Sequence, residues 1–147
     1  MKRMSMRRFC KIVRKVLDHL PEEFYPHMAN LVVDVVEEPD HETLKSAGLT
    51  DEEIEAGESL YGLCIYQESE LGLHGEGLDI ADLPRKLLIF KNPLEEDFPD
   101  RKQLLIEIRR TVIHELSHHF GFTEKDLERF ESREDPFGDD LTEKLDE

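Results

Sequence analysis

RKQLLIEIRRTVIHELSHHFG, residues 101–121, decides how the rest of the chain is read. Set at ~100° per residue, Leu104, Leu105, Ile108, Val112, Ile113, Leu116 and Phe120 fall on one side of a helix. Glu107, Thr111, His114 and His118 share the other side. The stretch is therefore an amphipathic helix with an aliphatic stripe to bury. Gly121 supplies the left-handed residue with which helices commonly stop. His114 and His118 are one turn apart, so both imidazoles reach a single ion. Glu115 lies at the border between the two sides. His119 points into the apolar side, where a backbone or carboxylate partner is expected rather than a metal.

The pattern HExxH has a chemical logic. Two neutral imidazoles hold one zinc ion and leave positions for a third ligand and for water. The ion's charge eases deprotonation of that water. Glu115 takes the proton as the water attacks a carbonyl and returns it to the leaving amine. Beyond Gly121 the chain folds back and brings an acid toward the ion. Glu124 is the expected third ligand and Asp126 the alternative, although Thr123 and Asp126 have the spacing of an N-cap and its N3 partner. His74 is read as a loop residue, and His19, His27 and His41 as surface histidines without a site.

Working outward, Phe9, Ile12, Val13, Val16, Leu17 and Leu20 form one face of an N-terminal helix stopped by Pro21. A short helix is expected over 22–28, and strands over 31–38, 59–67 and 86–92. Thr50, Glu53 and Gly57 have the spacing of a capped short helix. The segment 68–84 reads as a Gly-containing loop, and a last helix runs from Thr123 to about Ser132. The order predicts an α+β domain, a small sheet against helices. One domain is expected over 1–132, followed by an acidic, disordered tail over 133–147.

With 35 acidic against 19 basic residues, the formal net charge is −16 in 147 residues. Such a chain is repelled by phosphate backbones and anionic membranes, so neither nucleic acid nor membrane is an expected partner. The basic opening MKRMSMRR lacks the apolar run of a signal peptide, and no segment is long enough to span a bilayer. A cytoplasmic location is expected. Cys10 and Cys64 fall in apolar-periodic segments and read as free, buried thiols.

The stretch RRTVIHELSHHFGF (109–122) resembles the small bacterial zincin-like metallopeptidases, the minimal zincins with an HExxHxxGxxD motif. Weaker similarity extends to LPEEF (20–24), LYGLCIYQ (60–67) and LPRKLLIFKNP (83–93). The resemblance implies a compact minimal zincin-like fold, a small mixed sheet packed against the HExxH helix and the N-terminal helix. It implies zinc held by His114, His118 and an acid, with Glu115 as general base. The family's aspartate falls on Glu124, one methylene longer. All four methionines lie at or before Met28, so the Met-turn of the metzincins is absent. The expected activity is hydrolysis of peptide bonds in a peptide or protein substrate. An exposed sheet edge, 86–92 or 59–67, could hold the extended peptide. The competing expectations are a non-catalytic, metal-stabilised interaction module and, further off, a single-metal endoribonuclease. Glu115 and the negative charge both speak against the endoribonuclease.

Overall fold

A computed structural model of the chain describes residues 4–66 and 85–132. Helix α1, Met6–Asp18, starts at Ser5, whose hydroxyl accepts the Arg8 N–H at 3.2 Å. It buries Phe9, Ile12, Val13 and Val16, the face that the periodicity picks out. Pro21 ends it, and a single 3-10 stretch, Glu22–His27, carries Phe24 into the core. Strand β1 is Leu31–Val36, followed by short helices α2, His41–Ser46, and α3, Asp51–Glu55. Both arms of the Thr50–Glu53 capping box are formed at the start of α3, and Gly57 follows its end at φ 91°. Strands β2, Gly62–Tyr66, and β3, Arg85–Phe90, precede α4, Lys91–Asp97, α5, Arg101–Phe120, and α6, Glu124–Ser132.

The sheet has the order β1-β3-β2, with β1 parallel and β2 antiparallel to β3. It is the small mixed sheet that the resemblance implies. Helix α5 packs on β2 and β3, and α1 packs on α5. Leu87, Ile89 and Cys64 from the sheet join the α1 and α5 stripes in one core cluster, while Val32 and Ile65 are exposed. Period-two alternation separates these two faces.

Two expectations about 86–92 are corrected. The strand ends at Phe90, because Lys91 and Asn92 open α4. Pro93 sits in the first turn of that helix, where its missing N–H removes no helical bond. Nor is this strand a sheet edge. It is central, flanked on both sides, which leaves β2, among the described residues, as the edge beside α5. Cys10 is also corrected: it is free but exposed, because α1 turns Phe9 inward and its neighbour outward, whereas Cys64 is free and buried.

Past α5 the chain reverses on an aromatic cluster. The Phe24 ring lies 5.8 Å from Phe120, 5.1 Å from Phe122 and 5.1 Å from Phe130, and the His27 ring stacks on Phe120 at 4.9 Å. His27 is thus a packing residue. Among the described residues no helix is long and apolar enough to cross a membrane. The expected loop with His74 and the acidic tail expected from 133 lie outside the described residues.

Candidate metal centre

Helix α5 begins at Asp100, whose carboxylate accepts the Gln103 N–H at 3.0 Å, and ends at Gly121 with φ 78° and ψ 20°. Twenty uninterrupted residues hold the HExxH turn rigid. Burial of Ile108, Val112, Ile113 and Leu116 fixes the rotation of the helix, and that rotation leaves His114 and His118 exposed. Their Nε2 atoms are 3.3 Å apart and their ring planes cross at 83°.

That separation has a chemical meaning. A tetrahedral zinc at about 2.0–2.1 Å from each of two nitrogens needs them about 3.3 Å apart. The imidazole pair therefore has the bite of a zinc chelate. Among the described residues, no group of three or more His, Cys, Asp or Glu side chains is drawn together around one point. The acids expected beyond Gly121 differ in what they do. Asp126 Oδ2 accepts the Thr123 N–H at 2.9 Å, its own N–H donates to Thr123 Oγ1 at 3.1 Å, and Arg129 Nη2 lies 3.4 Å from its other oxygen. These bonds hold its carboxyl below the usual carboxylate range, the Thr123 backbone N–H first among the causes. Glu124, the first residue of α6, is exposed.

Glu115 is half-buried between α5 and β2. Burial pushes its carboxyl above the usual range, while His114, His118 and a hydrogen bond from the Cys64 N–H oppose that shift. His119 is also half-buried; its ring bonds the Cys64 backbone, and burial lowers its pKa. The expected backbone partner of His119 is present.

The sheet register explains why one residue serves both side chains. Phe90 N–H donates to the Tyr61 carbonyl at 2.9 Å, so Tyr61 faces β3. Backbone groups alternate along an antiparallel strand, which turns those of Gly62 and Cys64 to the side away from β3. Cys64 thus meets the side chains of α5 there. Its thiol is pushed up to about 11 by burial and then by the Glu115 charge.

Beside His114 and Glu115 a cleft of about 370 Å³ runs between α5 and residues 59–62. Arg110, Glu107 and Thr111 line its helix side. Glu107, expected on the polar face, is buried instead. Gln103 Nε2 and Arg110 Nη1 both donate to its Oε1, at 2.8 and 2.6 Å. Glu107 does share a side with Thr111 and His114, but Gln103 and Arg110 cover it, which no helical period reveals. The role of Cys64 is also absent from any side-chain pattern, since it acts through its backbone. Gly62 did carry a signal, because a lone glycine inside a strand marks close approach. An added Cβ there would stand 2.8 Å from Thr111 Cγ2.

No curated protein matches the chain. The family model described as zincin-like metallopeptidase matches residues 28–133, a span that runs from the sheet through the HExxH helix to the end of α6. The chain belongs to the zincin-like metallopeptidase family.

Proposed function

We propose that the chain is a zinc-dependent peptidase that cleaves peptide bonds in a peptide or protein substrate, with His114 and His118 as metal ligands and Glu115 as general base. One observation carries this reading: two imidazole nitrogens 3.3 Å apart, the bite of a tetrahedral ion, stand directly beside a half-buried carboxylate. Zinc, when bound, supplies a positive charge that polarises a carbonyl and eases deprotonation of water. Glu115 receives a proton from the attacking water on its carboxylate and passes it to the leaving amine, so water and one amide become an acid and an amine. The Cys64 N–H aims the carboxylate.

Glu124 is proposed as the third ligand. Asp126 is spent on the capping box, whereas Glu124 is exposed at the end of the turn that Gly121 permits. In this proposal Glu124 would have to turn toward the imidazole pair, since no third acid stands with the two histidines among the described residues. The substrate is proposed to lie along β2 and the cleft, pairing at Gly62, because among the described residues β2 is the edge strand next to α5. The residues before 133 form the catalytic unit in this proposal.

A second reading rests on the same centre with only its two imidazoles: a non-catalytic module that uses metal for folding. Glu115→Gln and His114→Ala separate the two. In a peptidase, Glu115→Gln keeps the metal and the thermal midpoint but loses roughly 10²- to 10⁴-fold in turnover of a mixed peptide library. His114→Ala loses the ion, as elemental analysis would show. If Glu115→Gln cleaves as well as the parent, or neither protein cleaves while His114→Ala unfolds, the peptidase reading is wrong.

A further inference from the structure

The helix side of the cleft carries a cation one turn from the proposed metal ligands. Arg110 and His114 are four residues apart on α5, so they share a face and are separated by about 6 Å along the axis. The Arg110 side chain is 54% exposed, whereas that of Glu107, to which it is bonded at 2.6 Å, is 11% exposed. Glu107 Oε1 is further occupied by Gln103. Of this ion pair, a molecule entering the cleft therefore meets more of the guanidinium than of the Glu107 carboxylate. In a protein with 35 acidic and 19 basic residues, this cation stands against the average surface charge. The ion pair also holds the long side chain in place, which lowers the entropy lost when it binds a ligand.

We propose that Arg110, held by Glu107 in the cleft between α5 and residues 59–62, is a subsite for a carboxylate of the substrate within two residues of the scissile bond. The inference rests on the peptidase reading and names the substrate class of the same site. An extended peptide advances about 3.3–3.6 Å per residue, and a charge-assisted hydrogen bond adds about 2.8 Å. Those lengths carry a carboxylate from the imidazole pair to the guanidinium in one or two residues. Two sources share this chemistry: the free C-terminus of a peptide, or an Asp or Glu side chain near the cleaved bond. Leu60 and Tyr61 complete the wall opposite the helix and leave room for the intervening side chain. The planar guanidinium still has donors beyond the Nη1 bond to Glu107, and these match two carboxylate oxygens.

The test compares zinc-loaded wild type, Arg110→Gln and Arg110→Lys on two matched peptide pairs. One pair differs only in a free or amidated C-terminus. The other, blocked at both ends, differs only in Glu or Gln within two residues of the cleaved bond. Wild type is expected to favour the carboxylate in one pair by roughly ten- to a hundredfold in kcat/KM. That pair identifies the source. Arg110→Gln brings the ratio toward one, and Arg110→Lys keeps part of it. A wild-type ratio near one in both pairs overturns the proposal, as does a ratio that Arg110→Gln leaves intact. A binding measurement separates this failure from failure of the peptidase reading. In the Glu115→Gln background, calorimetry compares an N-acetylated dipeptide acid with its amide. If nothing is cleaved, yet the acid binds more tightly and Arg110→Gln removes the difference, the peptidase reading falls and the subsite stands. Equal binding of acid and amide, together with equal binding of a doubly blocked Glu peptide and its Gln counterpart, removes the subsite.

Discussion

At Gly62 an added Cβ would stand 2.8 Å from Thr111 Cγ2 and 3.1 Å from the Leu88 carbonyl oxygen. The absent side chain is what lets β2 lie against α5 and brings the Cys64 N–H to Glu115. Gly62→Ala is expected to cost about 1–3 kcal/mol by overpacking. A second change, Thr111→Ser, removes the offending methyl but keeps the hydroxyl that donates to the Glu107 carbonyl at 2.8 Å. Urea unfolding of the four proteins in this cycle should show that the double variant recovers part of the loss; strict additivity would mean that the strand does not rest on Thr111. The two cysteines offer a simpler check. Cys10 is exposed, and Cys64 is buried with its thiol pushed up to about 11. Thiolate is the reactive form. A thiol reagent at mildly alkaline pH should therefore label one cysteine of the folded protein rapidly and the second only on unfolding. Sequence reading placed both thiols inside, since a residue next to a buried position on a wheel is ambiguous by about half a face.

Helix ends were the most legible elements. Thr50 and Gly121 each mark an end through a local bond or a local dihedral, which neighbours in sequence suffice to make. Helix α4 went unread. Its N-cap position is Phe90, without a side-chain bond, and its Lys91 and Glu95 are buried as a pair at 2.8 Å. That element is held by tertiary burial. At α6 the Thr123–Asp126 box has a consequence for acid stability. Asp126 has its carboxyl below the 3.8 of a free aspartate, so the folded state prefers the charged form. Its contribution is fully present above 3.8 and is lost as pH falls through that value toward the folded pKa. Asp40 at the start of α2, lowered by Thr43, acts in the same direction. The thermal midpoint should fall in this acid window. Asp126→Asn, which keeps an acceptor without the titration, should flatten the fall; an unchanged slope would show that the box does not contribute.

Over the whole molecule, the proposed third ligand depends on a reversal secured far from it in sequence. Phe24 is fully buried and touches Phe120, Phe122 and Phe130, the rings on either side of Gly121. Phe24→Ala is expected to destabilise the protein by about 3–5 kcal/mol in denaturant melts. It should also weaken zinc binding, because the segment leading to Glu124 loses its anchor. Equal zinc affinity in this variant and the parent would argue that Glu124 takes no part in the site.

The residues of α5 by themselves determined that a rigid helix exists, that it buries one stripe, and that two imidazoles and a glutamate stand near one another on it. All of that follows from a period of 3.6 residues and from bonds no longer than one turn. Only the tertiary structure decided which strand, among the described residues, forms the edge and that Cys64 lends its backbone to Glu115 and His119. Those facts arise where β2 meets α5, between segments some fifty residues apart in the chain. Packing of two surfaces, which no single period encodes, sets their register.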